Sequence, residues 1–185
     1  MLFLENKELK LFETLIGQSL SYISSDDLRV YNNEISFLRL SIELHFNNKI
    51  LNNLLLICDY KKGFYETYDE GIIYYKLLKN NVNDLYKSKQ YHLNYSQIKK
   101  IEIYGREIPK NHSDEMIQFN KKLFKGVVNT DVAFFFYCEK GERFMIAFDD
   151  FSYGFAFFHG NDLTINDFFD RKEEETIYKL KHTIE

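Results

Sequence analysis

The sequence predicts an α+β fold, mainly antiparallel sheet built from two β-meanders, with an N-terminal, a central and a C-terminal helix. Three observations carry that expectation. Leu38, Leu40, Ile42, Leu44 and Phe46 alternate with Arg39, Ser41, Glu43 and His45, a period of two that puts one strand face in a core. The apolar run 132–138 and its return over 143–148 flank Glu139-Lys140-Gly141-Glu142, which reads as a hairpin. Hairpins joined by short turns point to antiparallel sheet, which favours α+β over α/β.

The elements follow in order. Over residues 6–16, Leu9, Phe12, Leu15 and Ile16 recur at helical spacing, and Gly17 supplies a left-handed stop. Residues 18–24 read as extended, then come the alternating strand, a turn at Asn47-Asn48 and a returning strand over 50–58. Gly63 and Gly71 bracket a Tyr-rich stretch, and residues 72–78 are apolar again. The polar stretch 80–90 fits a loop or a frayed helix. Ile98, Ile101 and Ile103 mark a strand ending near Gly105, and Pro109 closes it. A helix is expected over 114–125, with Ser113 or Asp114 as N-cap. Phe155 to Phe158 adds a third strand to the second hairpin. Asp170-Arg171-Lys172-Glu173 reads as a capping box before a helix carrying Ile177, Leu180 and Ile184 on one face. No linker composition divides the chain, so residues 1–185 are taken as one domain. The meanders, about residues 18–58 and 132–158, are candidate halves of a duplication.

Composition excludes several classes. The 185 residues include 18 Phe and 14 Tyr but 1 Pro and 2 Cys, too aromatic for a disordered chain and too poor in cysteine for a disulfide scaffold. Apolar runs fall far short of the roughly 20 residues a membrane helix requires. The N-terminus lacks the pattern of a secretory signal, so cytoplasmic residence is expected, with Cys58 and Cys138 as buried free thiols. A net charge of −4 argues against nucleic acid as a partner. That average hides a division: residues 86–126 carry nine Lys/Arg against four Asp/Glu, whereas 139–175 carry four against ten. The 19 Lys and 16 Asn match the bias of an AT-rich gene, which weakens arguments from their abundance.

Catalytic patterns are sparse. His45, His92, His112, His159 and His182 show no ligand spacing of three or four, and the two Cys make no zinc ribbon, so no metal or cofactor is expected unless a site assembles in three dimensions. No nucleophile elbow or phosphate-binding glycine loop is present. Asp59-x-Lys61 after an apolar strand, with Glu43 on the strand before, resembles the metal-binding core of restriction-endonuclease-like nucleases. Turn chemistry after residue 58 accounts for the same residues. Two acidic, aromatic clusters stand out instead: Glu66, Tyr68, Asp69 and Glu70, and then Asp149, Asp150 and Tyr153. Aromatic anchors beside carboxylates suit a protein interface against a basic surface.

Leu15-Ile16-Gly17-Gln18 leading into an alternating hairpin, and the stretch 131–158 with its Gly141 turn and Asp149-Asp150-Phe151 bend, resemble bacterial immunity proteins of polymorphic toxin and contact-dependent growth inhibition systems. The resemblance is one of style and covers about half the chain. It implies a small cytosolic α+β inhibitor, monomeric or homodimeric, that occludes a cognate toxin domain and has no catalytic residues. The expected contact residues are Glu66, Tyr68, Asp69, Glu70, Asp149, Asp150 and Tyr153, and the expected partner is basic. A metal-dependent nuclease and a homodimeric scaffold or small-ligand binder are the alternatives.

Overall fold

In the computed structural model the described residues are 6–25, 28–31, 34–37, 41–47, 53–61, 72–79, 89–107, 129–149, 154–169 and 177–185. They form one helix of eight residues, α1 (Asn6–Glu13), and one of four, α2 (Asn166–Phe169). The strands are β1 (Leu20–Ser25), β2 (Leu28–Tyr31), β3 (Glu34–Phe37), β4 (Ser41–Phe46), β5 (Asn53–Lys61) and β6 (Ile72–Lys79). They continue as β7 (Lys89–His92), β8 (Ile98–Glu107), β9 (Asn129–Cys138), β10 (Arg143–Asp149), β11 (Gly154–Gly160) and β12 (Ile177–Ile184). Every named pairing is antiparallel. One sheet runs β6-β5-β4-β1-β7 and the other β12-β8-β9-β10-β11-β3-β2.

Alternation along the strands decides what lies between the sheets. From the first sheet Leu20, Ile23, Ile42, Leu44 and Phe46 are buried, and from the second Ile101, Ile103, Phe134, Phe136, Phe144, Ile146 and Phe157. All belong to one apolar cluster, so the two sheets share a core. Cross-strand register lines up Ile101, Phe136 and Phe144 in one row and Ile103, Phe134, Ile146 and Phe157 in the next. Phe136 stacks on Phe144 at 4.3 Å and Phe12 of α1 on Phe134 at 4.9 Å. Aromatic pairs of this kind add to the burial term, so the Phe-rich strands knit the layer laterally as well as inward.

The N-terminal helix ends at Glu13, three residues short of its expected end. The amides of Thr14, Leu15 and Ile16 donate to carbonyls three residues back, a tightened last turn. Gly17 follows at φ 78° and donates to the Ile98 carbonyl at 2.8 Å, tying the helix exit to β8. Gly141, at φ 94°, turns the β9–β10 hairpin, and β9, β10 and β11 form a consecutive meander as the alternation predicts.

Two expectations are corrected. The region 18–58 is not one meander: β1 pairs with β4, while the β2–β3 hairpin between them joins the other sheet through β3 and β11. The expected C-terminal helix is, over Ile177–Ile184, the edge strand β12. Ile177, Leu180 and Ile184 mimic helical spacing, but a bulge between Leu180 and His182 switches the side-chain parity. Ile184 therefore packs on the shared core, whereas Leu180 stays 49% exposed. Pairing with the open edge of β8 overrides the local helical pattern. The helix expected over 114–125 and the capping box at 170–173 lie outside the described residues. No helix among the described residues is long and apolar enough to cross a membrane.

Candidate functional site

Each sheet turns one face to the shared core, and the opposite faces carry the polar chemistry. On the first sheet, antiparallel register places Ser24 opposite Glu43 and Tyr22 opposite His45, with His92 of β7 on the other side of Tyr22. Residues two apart on a strand share a face, so Glu43 and His45 converge on the serine. Ser24 Oγ lies 2.9 Å from His45 Nε2 and donates to Glu43 Oε2 at 3.4 Å, and Glu43 Oε2 is 3.3 Å from the same imidazole nitrogen. Ser24 and Glu43 are buried. Tyr22 stacks on His45 at 4.0 Å with 13° between the rings. Burial, helped by the Glu43 charge, raises the Tyr22 hydroxyl above its ordinary pKa.

This is not a nucleophilic triad. A triad needs the serine on one imidazole nitrogen and the carboxylate on the other, whereas here both meet Nε2. The arrangement is a compact cluster in which serine, carboxylate and imidazole contact one another.

The second sheet's outer face is organised around Glu102. Lys100 Nζ reaches its Oε1 at 2.8 Å, and the Tyr104 and Tyr137 hydroxyls donate to Oε2 at 2.8 and 2.6 Å. Lys100 also sits 3.9 Å above the Tyr137 ring centre. Burial pushes the Glu102 carboxyl up, but these three hydrogen bonds and the ammonium charge together bring it below its ordinary value. The two phenols are raised, first by burial and then by the carboxylate. Beside this network Phe135, Met145, Ala147 and Phe158 form a second apolar cluster, against which Leu163 and Ile165 pack. Arg143 donates to the Leu163 carbonyl at 3.0 Å and pins that loop.

A third contact joins the two sheets at one end. Tyr91 of β7 and His159 of β11 meet at 3.5 Å, and burial lowers the His159 pKa. Cys138 is a buried free thiol, pushed up to about 12 first by burial and then by Glu142, which argues against a reactive nucleophile.

The residues expected from the sequence fall as follows. Glu66, Tyr68, Asp69, Glu70, Asp150 and Tyr153 lie outside the described residues. Asp149 is the last residue of β10 and pairs with Gly154, so the Asp150 to Tyr153 segment connects two paired strand ends. Glu43 pairs with Leu55 on β5, and Asp59 lies four residues further along, opposite Tyr74. At about 3.3 Å of rise per residue that offset separates the Glu43 and Asp59 backbones by roughly 13 Å along the ladder. Sequence reasoning missed the Ser24–Glu43–His45 cluster. Its only local signal is the spacing of Glu43 and His45; the Ser24 partner depends on a pairing across an inserted hairpin.

No family model matches the chain, and neither the curated proteins nor the solved structures yield a match.

Proposed function

We propose that the protein is a non-catalytic, cytosolic binding protein of the immunity type, which neutralises a cognate basic toxin domain by occluding its active site. The contact surface is acidic and aromatic: Glu66, Tyr68, Asp69 and Glu70 with Asp149, Asp150 and Tyr153. One observation carries the reading. The Asp149–Gly154 pair closes β10 on β11, both anchored in the aromatic core, so the Asp-Asp-Phe-Ser-Tyr segment is tethered at both ends by paired strand. Rigid anchoring lowers the ordering cost of an interface, and the carboxylates supply steering toward a cationic partner. The four-residue offset between Glu43 and Asp59 along the ladder favours this reading over a metal-dependent nuclease.

The test is capture of the tagged protein from a lysate of its own host, followed by binding kinetics with the recovered toxin domain. A stoichiometric basic partner whose association slows as salt rises is the expected result. Reversing Asp149 and Asp150 to lysine should slow association by about tenfold, the size expected for lost electrostatic steering. Unchanged binding after reversal at both 149–150 and 66–70 removes this surface from the interface.

A further inference from the structure

We propose that Tyr91 and His159 form a pH-sensitive latch, which holds the edge strand β7 against the second sheet and releases it in mild acid. The inference goes beyond the binding function and does not depend on it. β7 is the outermost strand of its sheet and, among the described strands, pairs with β1 alone. Tyr91 is the one residue of its four that is not exposed, and it packs against the shared core. Its hydroxyl meets His159 Nε2 at 3.5 Å, with the ring centres 5.6 Å apart. A short strand held by one ladder and one inward side chain is a unit that opens before the core does.

The surroundings of His159 make the contact sensitive to protonation. Phe157 shares its face of β11, 6.1 Å away between ring centres, and Phe144 stands opposite on β10. The charged groups at this end are engaged elsewhere. Arg143, the neighbour of Phe144, donates to the Leu163 carbonyl and lies over Tyr137 on the outer face. Glu142 accepts from the Ser96 hydroxyl at 2.6 Å. Tyr95, stacked with Phe144, is the second phenol beside Tyr91.

Either neutral tautomer of His159 satisfies Tyr91, because Nε2 accepts the phenol hydrogen or donates to the phenol oxygen. The imidazolium can only donate, and it brings a charge among phenyl rings. Burial accordingly lowers the His159 pKa. Opening of β7 takes Tyr91 away and admits water to the ring, so the open form binds a proton that the closed form resists. Opening therefore becomes easier as pH falls below the ordinary 6.5, by at most about tenfold per pH unit for one proton, and levels off below the folded value.

The experiment is amide hydrogen exchange of the full chain between about pH 8 and about pH 5, expressed as protection factors. The Leu93 and Asn94 amides, which both donate to the Ser21 carbonyl where the chain leaves β7, report the strand. The amides of Phe134 to Phe136, in a strand paired on both sides, report the core. Protection at Leu93 and Asn94 should lie below that of the core at every pH, resist dilute denaturant, and fall further below pH 6.5. His159→Asn should abolish that fall, whereas His92→Asn, at an exposed position of β7, should preserve it. Tyr91→Phe should raise opening at neutral pH about two- to tenfold, the effect of one lost hydrogen bond. Circular dichroism establishes that each variant folds. If His159→Asn does not, the wild-type protein decides: the fall must level off at the pH where the His159 ring resonances titrate. Protection at Leu93 and Asn94 that equals the core, ignores pH, keeps its fall in His159→Asn, or levels off away from the His159 titration would overturn the proposal.

Discussion

Glu43 and Glu102 are buried or nearly buried carboxylates on opposite outer faces of the same two-sheet framework, yet they are satisfied differently. Glu102 collects an ammonium and two phenolic hydroxyls, and Lys100 and Tyr104 come from its own strand, two residues to either side. Its charge is compensated by neighbours that alternation alone delivers. Glu43 meets a serine 19 residues away in sequence and the imidazole of His45, two residues along its own strand. Alternation along its own strand supplies Glu102 with Lys100 and Tyr104, whereas the Ser24 contact of Glu43 requires the pairing of two strands far apart in sequence.

The largest expected effect breaks the layer on which both clusters stand. Phe136→Ala removes a fully buried ring stacked on Phe144 and in contact with Phe12, and should cost about 3–5 kcal/mol in denaturant unfolding. Next comes Glu102→Ala, which strips the acceptor from two phenols and an ammonium. A loss of about 1–3 kcal/mol is expected by the same measurement. A stability equal to wild type would show that the network is ornamental.

Smaller substitutions sharpen the contrast. Tyr137→Phe deletes one of the three donors to Glu102 and should cost about 0.5–1.5 kcal/mol while raising the carboxyl pKa, observable by carbon-13 NMR titration. Ser24→Ala should leave the Glu102 titration untouched, since it lies on the other sheet.

Acid provides the finest test. His159 has a folded pKa below its ordinary 6.5, so the stability it contributes is present above 6.5 and is lost as pH falls through the lower folded value. Glu102, held below its ordinary 4.5, keeps its contribution above 4.5 and loses it as pH falls through its own folded value. Unfolding midpoints measured across pH should therefore decline in two stages. His159→Asn should remove the earlier stage only, and Tyr137→Phe should shrink the later one only. A single stage insensitive to both substitutions would refute the assignment.

Much of the second sheet was legible from residue order. The Phe134 to Phe136 strand, the Gly141 turn and the returning 143–148 strand are neighbours along the chain, so alternation and turn chemistry were sufficient to place them. Glu43 shows the limit. Alternation put it on the polar side of its strand, where it sits beside His45, but the face is buried and its serine comes from a non-consecutive strand. The acidic clusters stand out by composition, and among them Asp149 alone falls at a described position.

By itself, then, residue order determined which segments shun water, where hairpins turn and how charge divides between the middle and the last third of the chain. Those properties depend on side chains a few residues apart. Only the tertiary structure decided that β2 and β3 leave the first sheet for the second, that Ile177–Ile184 extends as a strand, and that Ser24 meets Glu43 and His45. Each of these rests on which distant edge supplies the missing backbone hydrogen bonds, a pairing that no local pattern encodes.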